Sequence, residues 1–311
     1  MIYKEKSFLS AVVYVCNDEV QIGLFLSALI GVLESGFEKY EIICVNDASI
    51  DNSAAVIRGI AKKEGSGIVS LVNMSYRQGL EASMNAGVDL AIGDFVYEFD
   101  SIYMDYAPQL ILSVYRRSLE GYDIVAASGK RRSLSSTLFY LTFNRNAHLQ
   151  YELHSETFRI LSRRAINRIH SMSKTIPYRK ALYANCGLKM DTVFYEPDRP
   201  DAGKRSLDKR HRLTAAFDSL ILFTNVAYKI ATFFAAILMA ATLAGGIYAI
   251  VVYLTGQPVA GFTTTLLVIA ASFFGVFAIL AIIIKYLSVI VDLVFSNQEY
   301  NFESVEKISK G

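Results

Sequence analysis

Ile92-Gly93-Asp94-Phe95-Val96-Tyr97-Glu98-Phe99-Asp100-Ser101-Ile102-Tyr103-Met104-Asp105 is an apolar run that ends abruptly in carboxylates. Its aromatic and β-branched residues predict a strand over 95–99. Such a strand delivers Asp100 to the carboxyl end of a sheet, where open α/β folds hold their ligands. An acid there points to metal or phosphate chemistry. For one isolated Asp, an ordinary strand running into a solvated acidic loop is the competing reading, so the flanking sequence has to decide.

Working outward, 8–15 and 40–45 are short apolar runs that stop at Cys16-Asn17-Asp18-Glu19 and at Asn46-Asp47-Ala48-Ser49-Ile50-Asp51-Asn52-Ser53. After the first, Ile22, Phe25, Leu26, Leu29, Ile30 and Leu33 recur at helical spacing and Gly36 supplies a stop. After the second, an amphipathic helix runs through Ala61, with Asp51 or Ser53 suited to its N-cap. A third strand is expected at 68–72. Ser75-Tyr76-Arg77-Gln78-Gly79 then breaks before a helix carrying Leu80, Met84, Ala86, Val88 and Leu90. Strands alternating with helices in this way predict an α/β fold with a mainly parallel, doubly wound sheet and acidic loops along one edge.

Further on, 108–119 reads as a helix and 122–127 as a strand leading into Lys130-Arg131-Arg132. A polar segment through His154 and Arg159 runs toward a helix near Ile166, and Phe194-Tyr195-Glu196-Pro197 closes the globular part. No G-x-G-x-x-G follows the first strand and no G-x-x-x-x-G-K-[ST] occurs, which removes the main support for dinucleotide and P-loop readings.

A chain of 311 residues that is 53% hydrophobic, with a mean hydropathy of +0.33, is too apolar for an average soluble enzyme. The excess lies in 230–254 and 262–284, which carry no charged side chain. At a rise of 1.5 Å per residue the second stretch is ~35 Å long against a hydrocarbon core of ~30 Å, so two transmembrane helices are expected. The connection at 255–261 is uncharged, whereas Lys229, Lys285 and the basic cluster at 204–212 flank the other ends. The positive-inside rule then places 255–261 outside and both termini in the cytosol. Leu207, Leu213, Ala216 and Leu220 give 204–229 the character of basic amphipathic helices on a lipid surface. The expected organisation is a globular domain at 1–203, juxtamembrane helices at 204–229, spans at 230–254 and 262–284 joined by the 255–261 loop, and a cytosolic tail at 285–311. A net charge of +2 gives no support to a nucleic-acid partner. Cys16, Cys44 and Cys186 lack zinc-site spacing and read as reduced, buried cytosolic residues, in keeping with an N-terminus that has no secretory cleavage pattern.

Several segments match one pattern in order and spacing. Val12-Val13-Tyr14-Val15-Cys16-Asn17-Asp18-Glu19 looks like V-P-x-Y-N-E-E at the end of a first strand. Tyr40-Glu41-Ile42-Ile43-Cys44-Val45-Asn46-Asp47-Ala48-Ser49-Ile50-Asp51 is similar to Y-E-I-I-x-V-D-D-G-S-x-D. Gly79 with Glu81-Ala82 fits G-K-E-A, and Ala91-Ile92-Gly93-Asp94 fits A-x-G-D. The chain thereby resembles the family-2 glycosyltransferases of GT-A (Rossmann-like) fold, in the polyprenyl-phosphate branch that includes dolichyl-phosphate mannose synthase and bacterial undecaprenyl-phosphate glucosyltransferases.

That resemblance implies a multi-pass enzyme of the bacterial inner membrane, working in cell-envelope glycan synthesis. It would move a sugar from a UDP- or GDP-linked nucleotide sugar to polyprenyl (undecaprenyl) phosphate on the cytosolic leaflet, with Mg2+ or Mn2+ as cofactor and, by analogy, as a homotetramer. Tyr14, Val15, Glu19, Asp47 and Gly79 would hold the nucleotide sugar. The family's D-x-D-x-x-D-P aligns to 100–106, giving Asp100 as metal ligand and catalytic carboxylate and Asp105 as the catalytic carboxylate that orients or deprotonates the phosphate nucleophile. Lys130, Arg131 and Arg159 would bind the acceptor phosphate. Ile102 stands where the pattern has its second metal carboxylate, Tyr106 replaces the proline, Tyr14 and Cys16 replace Pro and Tyr, and Leu80 replaces Lys. These departures keep open a second expectation, a degenerate, non-catalytic transferase-like membrane subunit in an envelope-sugar pathway. A processive synthase is disfavoured, because its Q-x-x-R-W segment has no counterpart in a chain without Trp.

Overall fold

Leu9, Ala11, Val13 and Val15 alternate along the chain with Ser10, Val12, Tyr14 and Cys16, and all eight are buried. Successive side chains of a strand point to opposite faces, so a strand buried on both must be sandwiched between layers. The computed structural model describes residues 4–64, 67–130, 140–141, 143–145, 150–172, 179–197 and 300–308, with isolated helical positions between 233 and 290. In it this strand is β1 (Leu9–Val15), near the middle of a sheet with helices on both sides.

The chain continues through α1 (Ile22–Gly36), β2 (Tyr40–Asn46), α2 (Ser53–Glu64), β3 (Ile68–Met74), α3 (Leu80–Leu90), β4 (Phe95–Phe99), α4 (Gln109–Leu119) and β5 (Ile124–Gly129). It then forms β6 (Glu156–Ser162), α5 (Arg163–Met172), α6 (Arg179–Ala184), β7 (Met190–Tyr195) and β8 (Phe302–Ile308). Among the described residues the strands make one sheet of order β7-β5-β6-β4-β1-β2-β3-β8. The strands β4, β1, β2 and β3 are mutually parallel, as the alternation of runs and helices predicts.

One face carries Leu9, Ala11, Val13 and Val15 against Phe25 and Leu29 of α1, Ile57 of α2 and Ile111 of α4. The other carries Val12, Tyr14, Ile43 and Val45 against Met84 and Val88 of α3, Ile166 of α5 and Tyr183 of α6. Gly93 closes the amino end of β4: a Cβ there would lie 2.6 Å from the Ser10 nitrogen and 2.9 Å from the Phe8 oxygen. Asp94 beside it accepts from the Phe8 N–H at 2.9 Å and donates its own N–H to the Phe8 carbonyl at 2.7 Å. The Gly-Asp pair of the A-x-G-D match is therefore a clasp between β1 and β4.

Two elements differ from the sequence expectation. The polar segment around Arg159 is not a connection but β6, antiparallel to both β4 and β5 in the interior of the sheet. Charged residues usually signal exposure; here Glu156 and Arg159 bond each other and are buried together. The expected 285–311 tail is not all tail, because β8 pairs antiparallel with β3 and completes the sheet edge. Its even mixture of charged and apolar residues fits an edge strand with one wet face.

The chain divides into two compact units, one of Met1–Asn144, Leu149–Lys209 and Ser296–Gly311, which holds the sheet, and one of Arg145–His148 and Arg210–Phe295, whose described positions are helical. Among the described residues no helix is long and apolar enough to cross a membrane. The expected juxtamembrane helices at 204–229 lie outside the described residues, as do the 255–261 loop and most of 230–254 and 262–284.

Candidate active site at the carboxyl edge of the sheet

The carboxyl ends of β1, β2, β3 and β4 share one edge of the sheet because those strands are parallel. The ends of β5 and β7 reach the same edge, since each runs opposite to or alongside neighbours that fix its direction, and the amino ends of the antiparallel β6 and β8 do too. The loops bearing Glu19, Asp47, Asp100, Asp105 and Lys130 therefore all rise on one side. This is the crevice position in which open α/β folds bind ligands.

Asp47, directly after β2, is wholly buried, and its carboxylate accepts three hydrogen bonds. They come from the Tyr14 hydroxyl at 2.8 Å, the Gln78 N–H at 2.7 Å and the Gly79 N–H at 2.9 Å. Burial, and then the neighbouring Asp47 charge, push the Tyr14 hydroxyl far above its ordinary pKa, so it stays a donor. Gly79 has φ +88°, a conformation open to glycine, and this turns its N–H toward Asp47 as α3 begins. Val15 is buried as a side chain and contributes its carbonyl, which accepts from the Asp47 N–H at 2.9 Å. Glu19 is exposed; its carboxylate accepts from the Asn52 N–H at 2.9 Å while its own N–H donates to Asp51 at 3.0 Å. Tyr14, Asp47 and Gly79 thus form one hydrogen-bonded floor, and Glu19 ties the β1 loop to the β2 loop above it.

Asp100 sits in a buried ionic cluster. One oxygen accepts from Arg159 Nη2 at 2.6 Å and the other from Arg179 Nη2 at 2.8 Å. Arg159 also donates to Glu98 at 2.6 Å and Glu156 at 2.9 Å, and Arg179 to Glu81 at 2.8 Å. Glu98 accepts from the Tyr183 hydroxyl at 2.7 Å and lies 2.8 Å from Arg179 Nη1, an electrostatic contact off the hydrogen-bonding angle. Burial alone would raise the Asp100 carboxyl, but Arg159 and Arg179 outweigh it and hold the group well below the usual carboxylate range.

This arrangement gives two of the expected site residues protein partners. Arg159 is 0% exposed and all three of its guanidinium nitrogens are engaged by carboxylates, so it orders the site instead of presenting a fork to an acceptor phosphate. Asp100 does not fit the part of a metal ligand, because both its oxygens are held by guanidinium groups and its partner position is Ile102, 3% exposed in the apolar core. Among the described residues no three His, Cys, Asp or Glu side chains are placed to hold an ion.

Asp105, half-buried beyond the same loop, accepts from the Tyr195 hydroxyl at 2.7 Å, and Tyr195 lies 2.6 Å from the Thr157 hydroxyl. Tyr106, in the place of a proline, packs on Phe158 and Tyr195 with ring centroids 4.8 and 5.6 Å away. Lys130, at the end of β5, is exposed and 3.3 Å from Glu196; Arg131 lies outside the described residues. Arg179, Glu156, Tyr183, Gln78 and Tyr195 escape the sequence reading as site residues. Of these, Gln78 adjoins Gly79 in the break before α3 and Glu156 lies in the polar segment that carries Arg159, so both stand beside stretches that could have flagged them.

A mainly parallel sheet with acidic loops after β2 and β4 defines a GT-A type fold. The same fold occurs in a mannosyltransferase from Pyrobaculum calidifontis in complex with GDP-Man and Mn2+, with a TM-score of 0.51 and 15% identity over 94% of this chain and 89% of that one. Residues 10–186, more than half of the chain, match the Glycosyl transferase family 2 domain, and the chain belongs to that family. It is 27% identical over 275 residues to an uncharacterized glycosyltransferase of Synechocystis, covering 86% of this chain and 85% of the relative. It is 24% identical over 266 residues to the bactoprenol glucosyl transferase of Shigella phage SfV, covering 83% and 86%. The family expected from the motifs is the family found.

Proposed function

We propose that this glycosyltransferase moves a sugar from a UDP- or GDP-linked donor to polyprenyl phosphate at the cytosolic face of a bacterial cytoplasmic membrane, for use in envelope glycans. The observation that carries the reading is the gathering of the Asp47, Asp100 and Asp105 loops on one edge of the sheet. Similarity to a bactoprenol glucosyl transferase over most of both chains supports a polyprenyl acceptor. The charge-free stretches at 230–254 and 262–284 support a two-span anchor, and a homotetramer is the assembly proposed by analogy.

In this reading the loops after β1 and β2 and the turn at 75–79 bind the nucleotide, with Tyr14, Asp47 and Gly79 as a rigid floor and Glu19 at the rim. An acceptor phosphate oxygen attacks the anomeric carbon, the bond from that carbon to the diphosphate oxygen breaks, and the nucleoside diphosphate leaves with the electron pair. A phosphate monoester has its second pKa near ~6 and is largely ionised at neutral pH. Asp105, held by Tyr195, therefore serves orientation more than proton removal. Lys130 and Arg131 meet the acceptor charge.

The test is incubation of membranes carrying the protein with undecaprenyl phosphate and a panel of labelled UDP- and GDP-sugars. A labelled lipid product is expected from one donor and none is expected from Asp105→Ala; a panel without any product sinks the proposal. The locked Asp100 and the buried Ile102 favour one alternative, a non-catalytic transferase-like subunit. Calorimetric binding of a UDP- or GDP-sugar by the protein argues against that alternative, and absence of binding to all of them favours it.

A further inference from the structure

The strand β8 comes from beyond the second apolar stretch, yet its contacts converge on the loop after β2. Asn301, just ahead of β8, is gripped by the side-chain amide of Gln78: Gln78 Oε1 accepts from the Asn301 N–H at 2.9 Å, and Gln78 Nε2 donates to the Asn301 carbonyl. The Ser75 N–H donates to the same carbonyl at 3.2 Å. The Gln78 backbone N–H is one of the three donors to Asp47. One polar chain thus runs from Asn301 through Gln78 to Asp47 and Tyr14.

A second chain runs parallel to it. Asn73 donates to Ser304 at 3.0 Å and Glu306 at 3.2 Å, and its side-chain oxygen accepts from Asn46 at 3.0 Å. Asn46 in turn accepts from the Ser49 N–H at 3.2 Å. Both chains begin on the β8 segment and reach residues within 46–49. Two further ties hold the segment in register: Glu306 takes a two-pronged grip from Arg58 of α2 at 2.6 and 2.7 Å, and the Tyr300 hydroxyl donates to Asp89 of α3 at 2.8 Å.

From this convergence we propose that β8 is a positioning element of the nucleotide pocket and that Gln78 is the positioning residue coupling the two, so that donor affinity depends on the C-terminal strand being docked. The inference rests on the donor site proposed above. Linkage makes the effect reciprocal: a nucleotide that binds the ordered loop also tightens β8. A bound nucleotide needs the β2 loop in one conformation, and a loop ordered in advance loses less entropy on binding.

The experiment uses the full-length protein in nanodiscs, with UDP and GDP as probes, read by calorimetry and amide hydrogen exchange. Gln78→Ala, which keeps the backbone bond to Asp47 but removes both side-chain bonds to Asn301, is expected to raise the Kd of whichever nucleotide the wild type binds by about 3- to 20-fold. In turnover with the corresponding sugar donor, KM rises and kcat is retained. Arg117→Ala removes the 2.5 Å ion pair to Asp191, away from β8, and leaves the Kd unchanged. In the wild type the bound nucleotide slows exchange over 301–308, a measurement that does not depend on any variant folding. A wild type that binds nucleotide while 301–308 exchanges at an unaltered rate, or a Gln78→Ala protein with wild-type affinity, overturns the coupling alone. A wild type that binds neither UDP nor GDP overturns the donor site itself, and the coupling with it.

Discussion

Ala48 carries a φ of +48°, in the left-handed region, immediately after Asp47. An L-residue there has its Cβ crowded by the backbone at a cost of roughly 1–2 kcal/mol, whereas glycine has none. The conformation lets Asp47 turn back under the Gln78 and Gly79 N–H groups, and it gives a physical reason for the glycine at the matching place of the D-D-G-S pattern. Ala48→Gly is expected to stabilise the globular unit by about 1 kcal/mol in urea unfolding, without moving nucleotide affinity downward. A lower midpoint would show that the Ala48 methyl is making a contact worth more than the strain.

At the scale of elements, β6 is the strand that most altered the reading of the site. Its Arg159 and the Arg179 that opens α6 lock Asp100 at the end of β4, so three elements meet through one carboxylate. Because the fold lowers the Asp100 pKa, its contribution is complete above the unfolded value of about 3.9 and drains away as pH falls toward the lowered native value. Asp100→Asn leaves two buried guanidinium groups short of a charge and is expected to cost about 3 kcal/mol at neutral pH. Chemical denaturation as a function of pH should show that deficit constant above about pH 5 and shrinking below about pH 4. A deficit that persists undiminished into acid would mean that Asp100 contributes by shape and not by charge.

At the scale of the whole molecule, the proposed anchor places 255–261 outside and the sheet-bearing unit inside. The native thiols are poor targets: Cys16, Cys44 and Cys186 are at most 3% exposed, and burial pushes the Cys44 thiol up to about 12. A Gln257→Cys protein in intact cells is therefore expected to react with a membrane-impermeant maleimide, and a Lys204→Cys protein only after lysis. Labelling of Lys204→Cys in intact cells would invert the proposed topology.

Much of this molecule follows from the chain alone. The runs at 8–15, 40–45, 68–72 and 95–99 read as strands, because each is short, rich in β-branched or aromatic residues and followed by helix-spaced residues, and that alternation points to a parallel sheet with its acidic loops on one edge. Tertiary structure alone decided what those acids do. Whether Asp100 faces a cation or an arginine depends on side chains 59 and 79 residues away in sequence, and a charged residue reads as solvated until its partner is known. The same holds for β8: residues 302–308 acquire a strand's hydrogen bonds only from the edge of β3, more than two hundred residues earlier, and no local pattern encodes a partner at that distance.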